Sequence, residues 1–295
     1  MKRILLIIGG LLLLGSFAGG QQPDAGYGVP GVPKKEMRVM SFNIRYYNNN
    51  VDKENGWDNR RQALPAMLDD VRPAVAGLQE CSLIQKDYII GECPRYKTLE
   101  FAIKRGEAGL KPHAYIDPVI YDSTRVRVVE WGAFWLSETP EEHSQSWGSK
   151  EPRTALWVHF KPIGRGKDFI FINTHLDHVS PEARQRGLDV ILDRMAEINE
   201  KGLPMVMVGD LNCIMAKEGS LDRLPASGWK NTKDFAAVSD ESNTFNGFGK
   251  SWTGTIDYIW LKGVRKCRRH MVVTKEYCDV RYISDHYPIF ADIKF

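Results

Sequence analysis

Hydrophobic and polar positions along the chain follow two rhythms. From Met37 the run Arg38-Val39-Met40-Ser41-Phe42-Asn43-Ile44 alternates with the period of two that marks a strand. Val75-Ala76-Gly77-Leu78 is a short apolar run that stops at Gln79-Glu80. Further strands are predicted over 96–103, 115–121, 126–136, 154–160 and 169–174. The last third repeats the pattern at 205–211, 255–261, 266–274 and 289–293. Helical spacing appears twice. Over 57–71 it runs through Ala63, Ala66, Met67 and Val71, with Pro65 at a start or a kink. Over 181–199 it places Leu188, Ile191, Leu192, Met195 and Ile198 on one face. Many short strands, with helices after the first and the middle ones, predict one α/β domain of two packed sheets over 36–295. Periodicity leaves the strand order open.

The N-terminus breaks this pattern. Lys2 and Arg3 precede a short apolar stretch, Ile4 to Leu14, and Ala18-Gly19-Gly20 offers small residues for cleavage before Gln21. Residues 1–20 therefore read as a signal peptide, and the expected location is exported, periplasmic or secreted. The apolar run is short for a membrane span of about 20 residues. Residues 21–35, rich in Pro and Gly, read as a flexible tether. An exported chain with five cysteines leaves at least one unpaired. Cys267 with Cys278, flanking an expected hairpin, and Cys81 with Cys93 are the candidate pairs.

Composition adds little: 43% hydrophobic and 26% charged residues in 295 are enough for a substantial core. The formal charge of +3 falls to +1 without Lys2 and Arg3, which gives no call for a long polyanionic partner. The basic run Arg265-Lys266-Cys267-Arg268-Arg269-His270 reads as charge on an edge strand that protects it from pairing.

The predicted strands end in polar residues of a few types. Asn43 ends the first and Glu80 the second; His175, Asp177 and His178 follow the 169–174 strand. Asp210 and Asn212 close the apolar run Met205-Val206-Met207-Val208, and their i, i+2 spacing puts both on one face at its carboxyl end. Asp257, flanked by Ile256, Tyr258, Ile259 and Trp260, needs a partner, and a histidine is the natural one. Carboxylates, carboxamides and histidines without cysteine make an oxygen-rich set suited to Mg²⁺ or Mn²⁺ and to phosphate ester chemistry.

The ordered set SFNIRY, LQE, NTHLDH, GDLN, DYIW and SDHYP resembles the endonuclease/exonuclease/phosphatase (DNase I-like) superfamily from about Arg38 to the C-terminus. NGWDNRR and FWLSETP resemble a subgroup of exported bacterial members. The resemblance implies a four-layer α/β/β/α sandwich of two packed mixed β-sheets flanked by helices. It implies Glu80 as the main metal ligand with Asn43 and Asp285 near the ion, Asp210 orienting or deprotonating the attacking water, and Asn212 holding the phosphate or that water. His286, paired with Asp257, and His175 would bind phosphate oxygens, and Arg153 would contact the phosphate. Where relatives often carry Gly-Glu this chain has Ala114-Tyr115. Either Tyr115 contacts phosphate or His175 takes another supporter, Asp117 or Asp177. The expected activity is a Mg²⁺- or Mn²⁺-dependent phosphoric ester hydrolase, phosphodiesterase or nuclease ahead of phosphomonoesterase. The substrate would be nucleic acid, a nucleotide, or a sugar or inositol phosphate, and the protein is expected to be a monomer with no stable protein partner. The alternative is a non-catalytic phosphate-ligand-binding protein that keeps the fold.

Overall fold

The computed structural model describes residues 29, 31–33, 35–101, 115–250 and 253–295, with Tyr115 described in its backbone alone. The expected signal peptide, most of the tether and Trp252 lie outside these residues. Among the described residues fifteen strands form: β1 Met37–Asn43, β2 Val75–Gln79, β3 Cys81–Ser82, β4 Tyr96–Leu99, β5 Tyr115–Ile116, β6 Val119–Asp122, β7 Val126–Trp135 and β8 Thr154–Pro162. β9 Phe169–His175, β10 Met205–Asp210, β11 Lys230–Asn231, β12 Val238–Ser239, β13 Asp257–Lys262, β14 Lys266–Val272 and β15 Ile289–Lys294 complete them.

One sheet has the order β12-β14-β15-β1-β2-β6-β4 and the other β11-β13-β10-β9-β8-β7, while β3 and β5 pair alone. Each sheet is mixed. A parallel pair, β1 with β2 and β9 with β10, is flanked by antiparallel neighbours. Strand alternation then divides the core. Met37, Val39, Val75, Phe169, Phe171, Val206, Val208, Ile259 and Leu261 face the opposite sheet. Ile170, Ile172, Met205, Met207, Tyr258 and Trp260 face outward under the helix Pro181–Ile198, which contributes Leu188, Ile191 and Met195. Ser180 caps that helix by accepting from Ala183 N–H, and Pro181 takes its first position. The helix Ala63–Val71 covers the other sheet, and Arg38 donates to its last carbonyl, Val71 O, at 2.8 Å.

Several expectations need correction. The 57–71 helix is two, Trp57–Arg60 and Ala63–Val71, and Pro65 sits in the first turn of the second, where no N–H is needed. The expected strand over 115–121 is split at Pro118, and β5 leaves to pair with β3. A helix over Leu83–Glu92 was not anticipated. It buries only Gln85 and Ile89, so it carries little apolar rhythm, but Gln85 Oε1 accepts from Ser82 N–H at 3.0 Å as a cap. The five cysteines are all free thiols. Their sulfurs face different carbonyls: Cys267 Sγ meets Arg269 O, Cys278 Sγ meets Gln62 O and Cys81 Sγ meets Ser82 O. The basic run lies on β14, which is not an edge, and Arg268 is spent on Glu36 and Asp292. Among the described residues no helix is long and apolar enough to cross a membrane.

Candidate active site

The alternation that fills the space between the sheets with Val39, Phe171, Val208 and Ile259 continues to the strand ends with polar residues. Asn43, His175, Asp210 and Asp257 have the same parity as those core residues, so they emerge between the sheets at one end of the sandwich. The register brings them side by side: Asp210 lies opposite His175 on β9 and opposite Asp257 on β13. Gly209 is required there, since a Cβ would stand 2.1 Å from Thr174 O. Behind the site Asn173 crosses between the sheets. Its amide donates to Leu78 O at 2.9 Å and Asp117 O at 3.0 Å, and its oxygen accepts from Gln79 Nε2 at 2.7 Å.

His286 arrives on the loop before β15. Ser284 Oγ donates to Asn43 O at 2.8 Å, which ties that loop to the end of β1. His286 Nδ1 is 2.8 Å from Asp257 Oδ2, and its Nε2 is 3.7 Å from Asp210 Oδ2. Burial alone would lower the imidazole pKa, but the charges of Asp257 and Asp210 outweigh it and push it up to about 10, so His286 is an imidazolium. Asp210 is displaced upward by burial and by the neighbouring Asp257 charge, as a group that accepts a proton near neutral pH requires. Its Oδ2 accepts from Asn43 Nδ2 at 3.0 Å and its Oδ1 from Asn212 N–H at 2.9 Å.

His175 behaves differently. Burial, and then the charges of Arg153, His286 and His178, hold it well below the usual histidine pKa, so it is neutral. Its Nε2 is 3.0 Å from Asn212 Nδ2 and 3.6 Å from Asp210 Oδ2, while its buried Nδ1 has no hydrogen-bond partner among the described residues. The supporters offered by the sequence are engaged elsewhere. Asp117 accepts from Glu80 N–H at 3.1 Å, and Asp177 accepts from the N–H groups of Lys150, Glu151, Val179 and Ser180. Asp177 thus organises a loop.

Glu80 and Asp285 face the cleft with side chains 20% and 14% exposed. Between them stands the Arg45 guanidinium, 3.9 Å from each. Oxygen donors opening to solvent fit a hard divalent ion. Asn43, expected beside that ion, turns its amide N–H groups to Glu80 Oε1 at 3.2 Å and Asp210 Oδ2, and its oxygen accepts from Arg45 N–H at 3.0 Å. Asn43 therefore links the two carboxylates. A second set, Asp210, Asp257 and His286, brings one ligand atom from each within 4.8 Å. There the His286–Asp257 hydrogen bond already occupies Nδ1, which favours proton chemistry over ion binding. Three residues of the site, Arg45, Glu80 and Asn212, hold left-handed backbones at φ 57°, 55° and 48°. Such conformations cost energy in non-glycine residues and cluster at functional sites.

The cleft has a volume of about 760 Å³, and Glu80, Arg153, His175, Asp210, Asn212, Asp285 and His286 all line it. Asn43 and Asp257 are buried behind them. Arg153 reaches His178 Nδ1 through Nη2 at 3.2 Å. The sequence did not mark Glu151, Lys217 or Phe245, which also line the cleft; Phe245 sits edge-on to the His286 ring at 5.0 Å. Only the Asn-Gly after Phe245 hinted at a structured loop there.

The family model for the endonuclease/exonuclease/phosphatase family matches residues 40–286. The chain belongs to that family. A solved mannosyl-6-phosphatase of Bacteroides thetaiotaomicron is 27% identical with a TM-score of 0.81, covering 88% of this chain and 100% of its own. TDP2 from D. rerio, solved with a single-strand DNA product, has a TM-score of 0.68 at 17% identity over 88% of this chain and 99% of that one, a likeness of fold. An uncharacterized protein of Acanthamoeba polyphaga mimivirus is 23% identical over 273 residues, 86% of this chain and 98% of the relative. The two solved neighbours share the two packed mixed sheets with flanking helices, and the family is one of hydrolases of phosphate esters.

Proposed function

We propose that the protein is a divalent-metal-dependent phosphomonoesterase acting on phosphorylated sugars or similarly small polyhydroxy alcohols. The observation that carries this is the bounded cleft of about 760 Å³, whose walls combine the cations Arg153 and Lys217 with the carboxylate of Glu151. Cations suit a dianionic phosphate, and a carboxylate suits hydroxyl groups. Without Lys2 and Arg3 the net charge is +1, which gives no call for duplex nucleic acid. The mannosyl-6-phosphatase likeness agrees with this reading over the nuclease that the sequence favoured. The N-terminal pattern of residues 1–20 supports action outside the cytoplasm.

In this reading Asp210 Oδ2 takes a proton from water held against it and Asn212 Nδ2. The water oxygen forms the new bond to phosphorus in line with the bond to the departing alkoxide, which breaks, and the alkoxide takes a proton from solvent to leave as the alcohol. His286, protonated and steadied by Asp257, donates from Nε2 to a phosphate oxygen as charge builds there. Arg153 supplies a planar fork to the phosphate from the other wall. A divalent ion held by Glu80 and Asp285 would neutralise phosphate oxygens and assist the leaving alcohol.

The test is hydrolysis of p-nitrophenyl phosphate, bis-p-nitrophenyl phosphate and hexose 6-phosphates with Mg²⁺, with EDTA, and with Asp210→Ala. Monoester turnover that needs both the metal and Asp210 is expected. Preference for the diester would overturn the monoesterase reading. Inactivity of a folded, metal-loaded protein on every ester would favour the binding-protein alternative.

A further inference from the structure

The arginine between Glu80 and Asp285 is built into the site with unusual care. Its guanidinium is 3.9 Å from Glu80 Oε2 through Nη1 and 3.9 Å from Asp285 Oδ2 through Nε. Those distances are too long for hydrogen bonds and short enough for strong charge coupling. The hydrogen bonds go to Asp52 instead, from Nε to Oδ2 at 3.1 Å and from Nη2 to Oδ1 at 3.0 Å. The Asp52 side chain is 5% exposed, and the Tyr46 ring lies 4.6 Å from the guanidinium carbon.

The Arg45 backbone is equally constrained. At φ 57° its N–H donates to Asn43 Oδ1 at 3.0 Å. Its carbonyl accepts from Arg60 Nη2 and Gln85 Nε2, each at 2.8 Å. A cation needed only to offset acidic charge would not need a strained backbone, a buried leash and an aromatic shelf. Strain of this kind persists when the surroundings over-determine it.

We propose that Arg45 is the resident counter-cation of the metal site and that Asp52 sets its reach. Held by Asp52, Arg45 neutralises Glu80 and Asp285 without closing on them, and leaves the carboxylate oxygens to a divalent ion. Released from Asp52, the guanidinium closes on the two carboxylates and competes with the ion. Asp52 is then a positioning residue that acts on metal affinity through Arg45. This rests on the assignment of Glu80 and Asp285 as metal ligands in the proposed function.

The experiment is Mn²⁺ binding to the full chain, by calorimetry and by the electron paramagnetic resonance signal of free ion, with no substrate present. Asp52→Asn is expected to weaken binding on the order of 10-fold, the scale of an outer-sphere partner. Arg45→Met is expected to tighten it. The double variant should match Arg45→Met, because Asp52 has nothing left to restrain. Arg45→Lys keeps the charge but loses the fork, and should weaken binding as Asp52→Asn does. An equal loss from Asp52→Asn with and without Arg45, or wild-type affinity in Arg45→Lys, would overturn the proposal. Wild-type protein that takes up no Mn²⁺ would overturn the metal reading itself, and this one with it.

Discussion

The two halves of the site are made by different means. The half proposed to handle protons, Asp210, Asp257 and His286, is the more buried: all three are at most 5% exposed. Strand register and hydrogen bonds to Asn43 and Asn212 fix its geometry. The half proposed to hold the ion, Glu80 and Asp285, stands on loops past strand ends, more exposed, with a left-handed Glu80 and a cation between the acids. Strand pairing sets Asp210 opposite Asp257, and the loop that Ser284 ties to Asn43 brings His286 to them. A site for an ion must admit and release it, and it is built where solvent reaches. The lesson is that one cleft holds a preformed element and an adaptable one, and that they should fail separately.

The largest expected effect comes from Asp210→Asn. It should lower kcat by about 10⁴-fold, the upper range for a lost general base, while Mn²⁺ binding stays within a few-fold of wild type. Equal loss of both functions would show that the halves are not separable.

Asp257→Asn comes next, at about 10³-fold in kcat. It also carries a pH signature. His286 must be protonated, so activity falls as pH rises through its pKa, which its carboxylate neighbours hold at about 10. Removing Asp257 takes away the strongest of those charges, so the alkaline limb of the kcat profile should move to lower pH. An unmoved limb would mean that another group sets it.

A third prediction asks whether partners rather than burial charge His286. His270 is equally buried, yet burial and the Lys233 charge lower its pKa to about 4, with Thr232 Oγ1 at 2.9 Å as its neutral partner. Between about 4 and the unfolded value near 6.5 the unfolded chain binds the extra proton. Stability from this group is therefore complete above about pH 6.5 and lost as pH falls toward 4, by about 3 kcal/mol in all. Denaturant titrations at pH 7 and pH 4.5 in wild type and His270→Gln test it. An identical acid loss in both would refute the assignment.

The smallest of these effects is on the open half. Glu80→Gln should weaken Mn²⁺ binding by about 100-fold and remove the rise in melting temperature expected of wild type with Mg²⁺. The fold should persist, since Glu80 lies outside the core. A metal response unchanged in this variant would place the ion elsewhere, at Asp210, Asp257 and His286.

Much of the more buried half was legible in sequence. Asp210 and Asn212 at i and i+2 after four apolar residues, and Asp257 amid Ile and Trp, announce themselves because strand alternation is local. The partner of Asp257 was inferred as a histidine from the cost of burying an acid. The open half was less legible. Glu80 and Asp285 stood at recognisable ends, but nothing local says that Arg45 sits between them, or that Asn43 turns its N–H groups to Glu80 and Asp210. The thiols taught the same lesson. Cys267 and Cys278 flank a turn in sequence, yet one points into β14 and the other toward Gln62.

By itself the sequence determined the residue types at each strand end, the parity that sends Asn43, His175, Asp210 and Asp257 to one face, and the oxygen-rich chemistry they share. These follow from the period of two and from the cost of burying charge, which a chain carries wherever it folds. Tertiary structure alone decided the strand order, the sheet-to-sheet bridge through Asn173, the contact of His175 Nε2 with Asn212 and the distance at which Asp52 holds Arg45. Each of those depends on segments far apart in sequence meeting at an ångström scale, and no local pattern encodes that separation.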